Sequence, residues 1–147
     1  MKTFVIVVAG LGAALAACAP TGPSRESLVY EPSNCSARRF DVYFADGQAR
    51  LTPPARQAIG LAAGQLQGCE IARVQVLGLA DASGGSAANL SLSERRAAAV
   101  VEALKAVGLP APAFDVAAAG DAGAVAADGA QEPLRRRTEI LIEARPR

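Results

Sequence analysis

Asp81 and Arg96 are the residues of this 147-residue chain whose types and spacing best suit a chemical task. A carboxylate in a loop and a guanidinium on the following helix can hold the two charges of one small zwitterion, the second through a bidentate fork. That is binding chemistry rather than bond-making chemistry. The chain has no His, which removes the usual general base, any Ser-His dyad and most zinc sites. No second acid accompanies Asp81, and the Gly84-Gly85 loop lacks the Lys and the spacing of a phosphate-binding loop. A binding protein is expected, not an enzyme, with no cofactor and no metal.

The elements that must position the pair follow from periodicity. Val74 and Val76 alternate with Arg73 and Gln75, as a half-buried strand requires, and Leu77-Gly78 closes that strand. The small residues from Asp81 to Ala88 predict a short loop. Ser91-Leu92-Ser93-Glu94 fits a capping box, which predicts a helix start close to Ser91. Ala97, Val100, Val101 and Leu104 then repeat at helical spacing and form a buried stripe. An advance of about 100° per residue turns Arg95 to solvent and sets Arg96 at the margin of the stripe. With an earlier helix start, Asn89, Ser93 and Arg96 share one side and Asp81 faces them across the carboxyl end of the strand, where ligands of α/β sheets collect. Spacing alone also fits a loop-capping Asp beside a solvated Arg, or a salt bridge between the two.

The same segment resembles the OmpA-like peptidoglycan-binding domain family. That family has a strand ending in Gly-His-Thr-Asp, a Gly-containing loop, then Asn-x-x-Leu-Ser-x-x-Arg-Ala on a helix. The matching residues here are Gly78-Leu79-Ala80-Asp81, Gly84, and Asn89 through Ala97 with Arg96 in place. The resemblance runs from about Asp41 to Ala144. It takes in Phe44 to Pro53, the Gly120-Asp121 turn, and Arg135-Arg136-Arg137-Thr138-Glu139-Ile140, which is similar to the Asn-Arg-Arg-x-Glu start of the family's last strand. It implies non-covalent binding of the peptidoglycan stem peptide at meso-diaminopimelate, with Asp81 on the ammonium and Arg96 on the carboxylate. Asn89, Ala80, Asp46 and Arg136 are the implied supporting site residues. Loss of either principal charge is expected to abolish wall binding and leave the fold intact.

Leu79 and Ala80 replace the family's His and Thr, Ala45 stands where many members are acidic with Asp46 next to it, and Arg135 replaces Asn. These departures keep a second reading open, an envelope protein-interaction adaptor with the same fold and a degenerate wall site. For Arg136 the alternatives are the ligand site, a buried ion pair or a solvated strand entrance.

At the amino terminus, Lys2, the apolar run from Phe4 to Leu15 and the small residues after it form a signal peptide over residues 1–17. Leu15-Ala16-Ala17-Cys18 resembles the bacterial lipobox, which implies cleavage before Cys18 and acylation of that residue. Each buried methylene adds about 0.8 kcal/mol, so two or more chains hold a protein on a membrane essentially permanently. Ala19 is not the Asp associated with inner-membrane retention, so the expected address is the outer membrane, lipid-anchored and facing the periplasm. Residues 18–34 read as the lipidated Cys and a flexible tether, with an extended reach on the order of 50 Å.

Residues 35–147 are then one domain. The formal charge of +1 falls to zero once Lys2 leaves, so no nucleic-acid partner is implied. With Cys18 lipidated, Cys35 and Cys69 remain, either as a disulfide worth roughly 3 to 4 kcal/mol or as two buried thiols. They can meet if the first two strands start at one end of the sheet. Further elements are predicted at Phe40–Phe44, from Thr52-Pro53 through the Ile59, Ala62, Ala63, Leu66 stripe, at Phe114–Ala119 and at Thr138–Ala144, with a surface loop over 120–133. The order βαβαββ predicts an α/β (α+β) two-layer sandwich with a mixed four-stranded sheet and two main helices.

Overall fold

The computed structural model describes residues 35–147. The expected signal peptide over 1–17 and the expected lipidated Cys18 and tether over 18–34 lie outside the described residues. The elements are β1 (Arg38–Tyr43), α1 (Pro53–Gln65), β2 (Glu70–Gly78), α2 (Ser86–Ala106), β3 (Phe114–Ala118) and β4 (Arg137–Arg145), with short 3₁₀ turns at Ala111–Ala113 and Pro133–Arg135. This is the expected βαβαββ order.

The sheet order is β1-β4-β2-β3. β4 runs antiparallel to both β1 and β2, whereas β3 is parallel to β2. The sheet is therefore mixed, and β1 and β2 run the same way with β4 between them. Val42, Val74, Val76, Ile140 and Ile142 face the helices and join Ile59 and Leu66 of the α1 segment and Ala97, Val100, Val101 and Leu104 of α2 in one core.

α1 begins as the sequence predicts: Thr52 caps it, its Oγ1 accepting from the Ala55 N–H at 3.3 Å, and Pro residues fill the first helical positions. α2 does not begin where the capping box predicts. Its N-cap is Gly85, which offers no side-chain cap, and Ser91 lies exposed inside the helix. The first turn is held instead by a residue distant in sequence, because Asp121 Oδ2 accepts from Ser86 Oγ at 3.2 Å and Asn89 Nδ2 at 3.0 Å. The carboxylate also suits the positive end of the helix dipole.

β2 starts at Glu70, directly after Cys69. A register shift between Ile71 and Arg73 leaves Ala72 as an extra residue. This bulge reverses the parity, so Ile71 rather than Ala72 packs against the core. Gly120 and Ala124 are buried within the predicted surface loop, and Val125 bridges Gln131.

Cys35 and Cys69 form a disulfide with an S–S length of 2.09 Å and a Cα–Cα distance of 5.5 Å. The parallel course of β1 and β2 brings their starts together at one end of the sheet. The strand ends that carry the charged residues lie at the other.

Candidate functional site

Gly78 sets the approach of β2 to α2. A Cβ at this position would stand 2.1 Å from the Ser93 carbonyl oxygen, far inside contact distance, so only glycine lets the strand end lie against the helix. Past it the chain is pinned on both sides. Leu79 N–H donates to the Arg137 carbonyl at 2.9 Å, and Ala80 N–H donates to the Gly120 carbonyl at 2.7 Å. Gly120 N–H in turn donates to Ser93 Oγ at 3.0 Å. Asp81 thus leaves a fixed frame.

Its carboxylate is divided between two tasks. Oδ1 accepts from Ser83, through the backbone N–H at 3.3 Å and through the hydroxyl, closing a local turn. Oδ2 faces Arg136, whose Nε stands 3.7 Å away. The Nη1 of Arg136 stands 3.7 Å from Asp46 Oδ1. Both separations are too long for direct hydrogen bonds. Asp81, Arg136 and Asp46 form a loose, partly solvated string of alternating charge at one end of the sheet.

Arg96 lies beneath it and is fully buried, not at the margin of the helix stripe as periodicity predicts. The reason is the β1–α1 connection, which folds over the guanidinium. Nε donates to the Gln48 carbonyl at 2.9 Å, Nη1 to the Leu79 carbonyl at 3.0 Å and Nη2 to the Ala45 carbonyl at 3.3 Å. The Phe44 ring centroid lies 5.1 Å from Cζ, a cation–π contact. Burial pushes the Arg96 pKa down from its ordinary value, the Asp81 carboxylate opposes this, Arg136 adds to the lowering and Asp46 opposes it. The guanidinium nevertheless stays charged. It therefore acts as a buried positive charge that ties the β1–α1 and β2–α2 connections to α2. Loss of Arg96 would strand three carbonyls, which corrects the expectation that its removal leaves the fold intact.

The other expected site residues separate by position. Asp46 and Arg136 stand with Asp81 in the charged string. Asn89 is buried and donates to Asp121, so it braces the start of α2. Ala80 is fully buried and contributes its backbone, with no surface for a ligand. Leu79 is buried too, and its carbonyl serves Arg96. Arg95 is exposed, as the helical phase predicts. Arg137 is structural, bonded to Glu139 at 2.6 Å and near Asp41 at 3.3 Å, and the Glu139 hydrogen bond raises its pKa above the ordinary value.

Two contributors escape a reading based on local spacing. Asp121 organises the α2 start from across the fold. The carbonyls of Ala45 and Gln48 hold Arg96, and backbone acceptors leave no signature in residue type.

Fold and site together define a small mixed α/β domain with a string of alternating charge beyond the carboxyl end of a central strand. Residues 43–138 match the OmpA family, and the chain belongs to that family. It is 35% identical over 85 residues to outer membrane protein P5 of Haemophilus influenzae, an overlap covering 58% of this chain and 24% of that protein. The chain thus spans about a quarter of that relative's length. Its fold is shared with the OmpA-like domain of FopA1 from Francisella tularensis subsp. tularensis SCHU S4 (TM-score 0.65, 24% identity, 75% of this chain and 73% of that one). It is also shared with the peptidoglycan-associated lipoprotein of Burkholderia pseudomallei (TM-score 0.59, 24% identity, 69% and 88% covered). A third structure with this fold is the cell wall anchor of the T6SS from Pseudomonas aeruginosa (TM-score 0.59, 24% identity, 74% and 82% covered).

Proposed function

We propose that this chain is an outer-membrane lipoprotein that binds peptidoglycan non-covalently through the meso-diaminopimelate residue of the stem peptide, tethering membrane to wall. The observation that carries the reading is the meeting of Asp81, Arg136 and Asp46 above buried Arg96, in a chain of the OmpA family. Two of the proteins that share its fold are by name wall-associated.

The side chain of diaminopimelate ends in an ammonium and a carboxylate on one carbon. In this reading the ammonium takes Asp81 Oδ2, displacing Arg136 from a contact of only 3.7 Å. The carboxylate takes the released Arg136. It also reaches Nη2 of Arg96 in place of the Ala45 carbonyl, the longest of the three bonds at 3.3 Å. Charge-assisted contacts contribute roughly 1.5 to 3 kcal/mol each, so one stem is held weakly to moderately. Acylated Cys18 supplies the second anchor, and two attachments on one chain give lasting retention.

The test is calorimetric titration of the full chain with a stem peptide bearing meso-diaminopimelate, beside one bearing Lys in its place. Lys keeps the ammonium and lacks the terminal carboxylate. Binding of the first, much weaker binding of the second and loss of both in Asp81→Asn support the reading. Equal affinity for the two peptides overturns it.

A further inference from the structure

β3 forms an edge of the sheet apart from the Asp81, Arg136 and Asp46 string. Among the described residues it pairs with β2 alone. In that register Val116 stands beside Val76 and shares its orientation toward the helices. Yet Val76 is 2% exposed and Val116 is 50% exposed. α2 does not reach far enough to cover the edge, and a groove of about 440 Å³ remains between helix and strand. Ala97, Ala98, Val101 and Val116 give it an apolar floor, and Glu94 and Glu102 stand on the helical rim.

Sheet edges that avoid pairing carry charges, prolines or bulges. The opposite edge, β1, has Arg38, Arg39 and Asp41. β3 reads Phe-Asp-Val-Ala-Ala, and its one charge, Asp115, is held by Arg73 at 2.5 Å. It is an open edge beside an uncovered apolar groove.

We propose that this groove accepts an extended segment of another protein as a fifth strand beside β3, with Lys or Arg at two positions four residues apart and an apolar residue midway. Glu94 and Glu102 lie eight positions apart on α2, which is about 12 Å at helical rise. Four residues of strand span about 13 Å and return to the same face. α2 connects the parallel strands β2 and β3, so it runs back along them and the two spacings align. The midway side chain then lies over Ala98 and Val116. Glu94 has no ion-pair partner among the described residues, and Glu102 holds only the exposed Lys105, at 3.1 Å. The rim therefore calls for cations. A second copy of this chain is the wrong occupant, because its own Glu94 and Glu102 would bring like charges to the groove.

The test uses the full chain and the peptide Thr-Lys-Thr-Val-Thr-Lys-Thr, whose lysines and valine share one face. Controls carry Glu in place of both Lys, or have the second Lys moved one position inward. The lysine peptide is expected to shift the backbone amides of Val116 and Ala117 and slow their hydrogen exchange, with both controls weaker. The double substitution Glu94→Lys and Glu102→Lys, at exposed positions, should cut its affinity about ten-fold and favour the glutamate peptide. Val116→Lys should abolish binding of either. The proposal is overturned by unmoved β3 amides, by equal binding of the three peptides, or by β3 shifts that follow protein concentration without peptide.

Discussion

Nε of Arg136 stands 3.7 Å from Oδ2 of Asp81, so the carboxylate proposed to take the ligand ammonium is held by a cation too far away to donate a hydrogen bond to it. Partly exposed pairs of this kind contribute about 0 to 1 kcal/mol. Exchange of Arg136 for a ligand ammonium therefore costs little. Asp81→Asn should abolish binding to diaminopimelate-type sacculi, whereas Arg136→Gln should weaken it several-fold, because the ammonium site survives and one carboxylate partner is lost. Quantitative sacculus-binding isotherms check this, and full affinity in Arg136→Gln would exclude the exchange.

Arg96 is a structural residue as well as a proposed site residue. Arg96→Ala leaves the carbonyls of Ala45, Gln48 and Leu79 without their donor, and disruption of such a buried charged network costs about 3 to 5 kcal/mol. Arg95→Ala, on the exposed side of the same helix, should stay within about 0.5 kcal/mol of the parent. Urea unfolding of both variants checks the contrast. Equal stability would contradict the burial of Arg96.

The legibility of Arg96 shows where local sequence ends. Helical phase separates Arg95 from Arg96 correctly, since it depends only on neighbours along α2. Burial of Arg96 depends on the Phe44–Leu51 segment folding over it, and that contact belongs to no periodicity. The same holds for the start of α2: Ser91 and Glu94 have the types of a capping box, but Asp121 holds Ser86 and Asn89 a turn earlier. The strands of the βαβαββ order are readable because alternation is local, whereas the Ala72 bulge within β2 leaves no signal in it. Residue type alone leaves Cys35 and Cys69 open between a bridge and two thiols, and the strand order, which no local spacing carries, brings them together as a disulfide.

Gly60 and Gly64 sit inside α1 on its exposed side, and an added Cβ at either meets nothing within 4 Å. Gly60→Ala and Gly64→Ala should each stabilise the domain by about 0.5 to 1 kcal/mol without change in wall binding. Gly78→Ala should do the opposite, because its Cβ meets the Ser93 carbonyl. Thermal unfolding of the three variants tests the assignment.

Asp121 sets an acid limb. The Asn89 hydrogen bond, aided by Ser86, holds its carboxyl below the ordinary aspartate range against the opposing effect of burial. A depressed folded pKa means that its stabilising contribution is complete above the unfolded value and is lost as pH falls through the folded one. Asp121→Asn should therefore be less stable than the parent at neutral pH, with the gap closing below about pH 4. Urea midpoints measured across pH 2 to 7 follow the gap, and a constant gap would remove Asp121 from this role.

The central claim is wall binding at Asp81, and co-sedimentation of the full chain with purified diaminopimelate-type sacculi tests it most directly, with Asp81→Asn alongside. Pull-down of the parent that the folded variant loses is the predicted result. A folded parent that stays in the supernatant, or a variant that sediments equally, would contradict it.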